Sequence, residues 1–454
     1  MRIPLAARSA QDSQFSSARL VNWYPEVYGQ DANAPYALKP TPGLRSFATY
    51  SAGYVAGMLP FNDRVYMVTD NDILSFDENG TVSTVIAGYY TFSDRVALAE
   101  GGLQMMIVSG EYGFGWTCDT SGTVARINDA DFPSASHVAF LDGYFIVNDR
   151  DNKGRFYISD LYNARSWNGN NYATAESMPD TLLNIIANNG ELWLFGETSI
   201  EVWVNTGASF PFQRSVRLER GCAAEWSIAR PDGILTWLSD DLTVRMVSGY
   251  APVRISTHAV EKSIGAMDTV SDAFAWSYTE DGHYFYVLTF PSEDQTWVYD
   301  LTTKEWHERE TVGLDQYRPN CYTRYWNKHF VGSPNSGAVY QLDPDYYYDD
   351  AQRIERECVF PEIRAELKPI QMKRLQIEFE QGVGDATIED PQAMLSWSDN
   401  GGKTWSNEHW RGVGKLGEYG NRSIWRRLGR FRKRVYKLVV TDPVKWVVLN
   451  AFGD

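Results

Sequence analysis

The sequence predicts an all-β protein: a β-propeller, six blades favoured and seven allowed, followed by a C-terminal β-sandwich-like domain. Three observations carry this. The chain holds 16 Trp, 27 Tyr and 21 Phe, and aromatic side chains favour strands. Short apolar strands recur, most of them just after a tight-turn pair. Their centres are spaced like blades.

The recurring strands are Arg64–Val68, Gln104–Val108, Tyr144–Val147, Glu191–Phe195, Gly233–Leu238, His283–Leu288 and Lys328–Val331. The turn pairs are Asn62-Asp63, Asp142-Gly143, Asn189-Gly190, Asp232-Gly233 and Asp281-Gly282. Tyr66, Ile107, Phe145, Leu194, Trp237, Tyr286 and Phe330 mark the centres, separated by 41, 38, 49, 43, 49 and 44 residues. A four-stranded blade repeats every ~40–50 residues. Seven centres fit seven blades, or six plus a shared closure strand. Partner strands follow in several units, as Ser199–Trp203 follows Glu191–Gly196. The unit Thr296–Leu301 with Trp306 has a kelch-like look.

The domains divide accordingly. Residues 1–50 form an N-terminal extended segment and propeller closure, 51–345 the propeller, and 346–454 the sandwich. The acidic, tyrosine-rich run Asp343–Asp350 marks the junction. Beyond it the expected strands lengthen: Met372–Glu380, Ala393–Ser398, Ile424–Arg432, Tyr436–Val440 and Lys445–Leu449. Short helices are expected only at Tyr162–Trp167 and Asp349–Cys358.

Composition excludes several classes. The formal net charge of -16 opposes wrapping of DNA by the whole surface. Cys118, Cys222, Cys321 and Cys358 lie far apart and read as buried thiols from a reducing compartment. Met1–Arg8 shows no apolar run of signal-peptide length. No run of about 18 apolar residues is present to span a membrane. The histidines at 137, 258, 283, 307, 329 and 409 have no metal-site spacing, and no G-x-S-x-G elbow occurs. No cofactor, metal or catalytic residue is assigned.

Three motifs read as structure. Ser398, Asn400, Gly402 and Trp405 resemble the Asp-box hairpin of sialidases, with Asn in the usual Asp place; such a hairpin ties a turn and carries no chemistry. Gly412–Gly417 matches G-x-G-x-x-G in form but sits between strands with no helix after it. Asp149, Asp151 and Asp160 faintly resemble a calcium loop, yet Lys153 takes a ligand position. Asp343–Asp350 reads as a solvated acidic linker, with cation collection as the alternative.

The C-terminal run is different. Arg422, Arg426, Arg427, Arg430, Arg432, Lys433, Arg434 and Lys437 follow one another, and no acid falls between Glu418 and Asp442. Strict alternation puts Arg430, Arg432 and Arg434 on one strand face, with Phe431 and Val435 toward the core. Arg426, Arg427, Arg430, Arg432 and Arg434 are therefore the candidate assembly interface. Three readings stand: a solvated face, contact with an acidic neighbouring subunit, or contact with DNA phosphates.

The run Trp425–Lys433 resembles the C-terminal strand of packaged-DNA stabilisation proteins, the tail hub or nozzle proteins of short-tailed bacteriophages. Gly417-Glu418-Tyr419, Thr441–Val444 and the 398–405 hairpin fit the same pattern. So do Asn22–Glu26, Thr41–Leu44, Pro179-Asp180, Gly196–Glu201 and Gly207–Phe212. The resemblance implies a non-enzymatic virion protein, made in the host bacterial cytoplasm. It implies a homohexameric ring that docks below the head-to-tail adaptor ring and closes the filled head. It further implies passage of double-stranded DNA through the ring without sequence-specific binding, and sites for a tail needle or plug and for tailspikes or fibres.

Two rivals remain open. One is a glycan-binding or sialidase-like phage propeller, acting as receptor binder or depolymerase. It draws on the Asp-box hairpin and the tryptophans; the single box and unpatterned arginines oppose it. The other is a kelch-type cytoplasmic scaffold.

Overall fold

The computed structural model describes residues 2–6, 9, 18–27, 36–88, 95–109, 113–175, 180–365, 368–384 and 387–454. Pro179, part of the family-like pattern, lies outside them.

Among these residues seven antiparallel sheets stand around one axis. Blades one to four each have four strands and span Val55–Ile86, Val96–Arg126, Val138–Thr174 and Leu182–Leu218. Blade five spans Thr236–Arg254; its inner segment is held by isolated bridges from Cys222 to Ser239 and from Ala229 to Thr236. Blade six spans Phe274–Glu308 and blade seven begins at Cys321. Each of the seven predicted centres lies on the strand just outside its blade's inner segment. Of the two blade numbers the spacing allowed, the sheets give seven, so the favoured six is set aside.

The turn pairs explain the regularity. Asn62 and Asp63, Asp142 and Gly143, Asn189 and Gly190, and Asp281 and Gly282 all have positive φ. That is the type I′ geometry whose twist matches the strands it joins, and Asn, Asp and Gly tolerate it best.

The ring closes with an N-terminal strand. Gly43–Tyr50 pairs along Gly337–Asp343, from Gly43 opposite Asp343 to Tyr50 opposite Gly337. It is the fourth strand of blade seven.

The sandwich also recruits the N-terminus. One sheet runs Trp23–Val27, Tyr36–Pro40, Val448–Gly453, Arg374–Phe379, Ser423–Arg426, with Arg2–Ile3 beside Val448–Gly453. The other holds Arg19–Val21, Arg356–Val359, Lys433–Val440, Gln392–Ser398 and His409–Gly412. Ile3, Leu20, Trp23 and Leu38 join Trp425, Leu438 and Trp446 in one core. Trp23 is fully buried and donates its Nε1 hydrogen to the Trp446 carbonyl at 3.0 Å. Segment 1–50 is thus divided: its last eight residues close the propeller and most of the described remainder builds the sandwich. Arg19–Val21 also pairs with Glu308, so the second sandwich sheet continues into blade six.

Both expected helices are strands or turns. Tyr162 has φ 53 and turns into the strand Asn163–Thr174. Asp350, with φ 57, interrupts the second, and Arg356–Val359 is drawn between Arg19–Val21 and Lys433–Val440. Tertiary pairing overrides local propensity in both. The α-helix of the described residues is His258–Ile264, on the link from blade five to blade six. The last expected strand is displaced to Val448–Gly453.

Candidate functional site

The predicted hairpin folds as its residues require. The Ser398 hydroxyl accepts from the Gly402 N–H at 2.9 Å, and the Asn400 Oδ1 accepts from the Thr404 N–H at 3.0 Å. Gly401 and Gly402 have φ of 76° and 88°, which glycine adopts without a Cβ penalty. Lys437 Nζ sits 4.8 Å above the Trp405 ring. The turn is a structural staple.

Arg434 is part of that staple and leaves the candidate interface. It is 3% exposed. Its guanidinium grips Asp399 in a two-pronged contact of 2.6 and 2.8 Å, donates to the Leu428 carbonyl, and stacks 4.2 Å from Phe431. The predicted continuous strand does not exist. Arg427 has φ 63 and Gly429 φ 79, and they end the strand Ser423–Arg426; Arg432 then divides Arg430–Phe431 from Lys433–Val440. The break at Arg432 resets the alternation, so Arg434 turns inward while Arg430 and Arg432 stay exposed.

Arg426, Arg427, Arg430 and Arg432 do come together at one end of the sandwich, joined by cations the run did not reveal. Arg426 lies directly opposite Arg374, and Lys433 opposite Arg364. Arg427 donates its N–H to the Lys373 carbonyl at 2.9 Å. All of these side chains are exposed. Carboxylates reach the rim at two points: Asp454 is 3.1 Å from Arg374 and Glu362 is 3.9 Å from Lys433. Among the described residues no carboxylate pairs with Arg364, Lys373, Arg426, Arg427 or Arg430. Like charges opposite one another cost stability on a sheet. Residues 43–345 carry 20 Lys and Arg against 39 Asp and Glu, whereas 1–42 and 346–454 together carry 22 against 19. The acidity of the chain thus resides in its propeller half.

The propeller axis is filled. Arg95 of blade two lies 3.3 Å over the Phe274 ring of blade six. It also donates to the Asn320 carbonyl at 2.8 Å and to Asn320 Oδ1 at 2.6 Å. Trp226, inside blade five, packs 4.4 Å from His137, beside blade three. These contacts join blades that are not neighbours, so they cross the axis. Burial, then the charge of Arg150, pushes His137 down to about 3, so it is neutral there.

A family model described as bacteriophage P22 Gp10, beta-propeller, matches residues 1–347, and one described as bacteriophage P22 Gp10, beta-sandwich, matches residues 355–452. The chain belongs to the bacteriophage P22 Gp10 family. Its members are phage structural proteins that stabilise packaged DNA. No curated protein matches this Gp10-family chain. Among solved structures, the computationally designed Ika8 protein is 11% identical, covering 66% of this chain and 99% of that one, with a TM-score of 0.41. Virginiamycin B lyase from Staphylococcus aureus is 10% identical over 66% and 98%, TM-score 0.41. The extracellular domain of BT4673 from B. thetaiotaomicron is 10% identical over 88% and 60%, TM-score 0.45. Likeness at this level assigns no function.

The other motifs of the Gp10-family chain are accounted for locally. Asp149 Oδ1 accepts from the Asp151 and Asn152 N–H groups, an ordinary turn. Asp343 pairs with Arg45 and Asp349 with Arg318. No group of three or more potential metal ligands clusters among the described residues. Cys118, Cys222 and Cys358 are buried free thiols, and Cys321 is partly buried.

One charged cluster had no sequence signal, because its members lie up to 274 residues apart. His283, 2% exposed, sits between Asp300, 2.7 Å from Nδ1, and Glu26, 3.2 Å from Nε2. Lys39 is 2.7 Å from the same Glu26 carboxylate. Burial alone would lower the imidazole pKa. The hydrogen bond and charge of Asp300, then those of Glu26, outweigh it and raise it above 6.5. Both ring nitrogens face carboxylates, so the fit needs the imidazolium. Neighbouring Glu280 is pushed up to about 7 by burial, against the charge of Arg309. Both shifts have one sign. His283 stabilises the docked hairpin fully below about pH 6.5 and loses this as pH rises through its folded value; Glu280 costs stability as it ionises toward pH 7. Glu26, held low, works the other way only below its usual 4.5. Hydrogen-exchange protection of the described residues in 23–40 is expected to fall between pH 6 and 8, and His283→Gln to flatten that dependence. An unchanged slope in the variant would discard the assignment.

Proposed function

We propose that the chain is the tail hub, or nozzle, of a short-tailed phage. It docks below the head-to-tail adaptor, closes the filled head and extends the path for DNA ejection. Several copies, six by the family resemblance, form the ring. The filled propeller axis supports this reading most directly. Duplex DNA has no passage through a single propeller, so a channel must run between copies. The acidic propeller half suits the wall of such a channel, because it repels phosphates and lets DNA slide without sticking. The sandwich, with its basic rim, is the docking domain.

The test is electron microscopy of the purified chain mixed with adaptor-bearing, DNA-filled heads from its own phage. Sixfold rings below the adaptor and retained DNA are expected. Heads that stay bare and keep leaking would refute the nozzle role.

A further inference from the structure

We infer that the basic rim of the sandwich docks onto the acidic propeller of a second copy of this chain. The inference deepens the nozzle reading by naming the partner of its docking domain.

Three observations carry it. First, among the described residues Arg364, Lys373, Arg426, Arg427 and Arg430 of the rim have no carboxylate partner. Arg426 stands opposite Arg374, and Lys433 opposite Arg364, on directly paired strands. Asp454 and Glu362 offset one member of each pair, and the other member is left to attract an anionic surface. Second, the complement is present in the same chain. Residues 43–345, which hold the propeller, carry an excess of 19 acids, and residues 1–42 with 346–454 an excess of three bases. Two copies therefore attract when the sandwich of one meets the propeller of the other, and repel propeller to propeller. Third, the rim already holds carboxylates at Asp454 and Glu362. These favour a protein face with mixed charges over a continuous row of phosphates.

The rim spans both sheets of the sandwich: Arg374 and Arg426 edge one, Arg364 and Lys433 the other. Its orientation is fixed by backbone pairing, as in the Met372 N–H bond to the Gly429 carbonyl at 3.0 Å. It meets a partner as a preformed surface, which lowers the ordering cost.

The test is carbodiimide coupling, which joins lysine amines to touching carboxylates without a spacer. An equal mixture of ordinary and nitrogen-15-labelled chain is assembled on filled heads, and in parallel concentrated alone in low salt. Lys373 and Lys433 are expected to give mixed-isotope links to carboxylates within residues 41–345. Arg426→Glu/Arg427→Glu/Arg430→Glu should reduce those links at least tenfold while leaving the thermal unfolding curve in place, because all three side chains are exposed. Links only to the adaptor, links only within one chain, no mixed links in either setting, or links untouched by the triple variant would each overturn the inference. Binding of a duplex oligonucleotide lost in the triple variant, without mixed links, would assign the rim to DNA. Mixed links on heads that still leak would keep the inference and sink the nozzle reading; sealed heads without mixed links would do the reverse.

Discussion

Gly43→Ala is expected to destabilise the propeller by about 3 kcal/mol, the upper range for forcing atoms into a packed site. Gly43 begins the strand that closes the ring. A Cβ there would lie 2.0 Å from the Tyr346 carbonyl oxygen and 2.6 Å from that of Tyr348. Both obstacles are backbone, so no side chain can swing aside. Either the strand start or the turn after Asp343 must move. The pairing of Gly43 with Asp343 and the 2.8 Å bond from the Asp350 N–H to the Leu44 carbonyl would then suffer together. Gly420→Ala is the control: nothing lies within 4 Å of its Cβ and its φ is not positive. Denaturant unfolding compares the two, and hydrogen exchange locates the loss in blade seven. A Gly43→Ala protein as stable as the control would mean that the closure strand tolerates displacement.

The propeller was legible because its information is local. A type I′ pair and the strand after it lie within ten residues, and they repeat. The closure strand was legible only in outline. Its partner lies nearly 300 residues away, and nothing in Gly43–Tyr50 names it. The sandwich role of the N-terminal hairpin was hidden for the same reason: Leu38 meets Val448. The basic run shows a different failure. Its composition is plain in the sequence, but alternation was carried from Arg430 to Arg434 across Arg432, where one strand ends and the next begins. Arg364, Lys373 and Arg374 come from another segment, so the full rim needed the sheet register.

Arg19→Met should weaken the junction between blade six and the sandwich by about 3 kcal/mol, the lower range for breaking a buried pair. Arg19 lies on the strand shared by both domains. Its guanidinium contacts Glu308 at 2.8 Å, Glu357 at 3.4 Å, and Glu310. Lys437 also serves Glu357, at 3.5 Å, but among the described residues no second cation pairs with Glu308 or Glu310. Methionine keeps an apolar stem of similar reach and removes only the charge. The carboxylates left behind are mostly shielded from water. Burial already raises the Glu310 pKa, against the pull of Arg19, and losing Arg19 raises it further. A carboxylate whose folded pKa exceeds its unfolded value costs stability as pH climbs from the unfolded value through the folded one. The deficit of Arg19→Met should therefore be largest near pH 7 and shrink toward pH 4.5. Adding Glu308→Gln should recover part of it at pH 7 and little at pH 4.5. Denaturant midpoints of the wild type and both variants across that range decide the matter. A deficit independent of pH would show that Arg19 acts through packing alone.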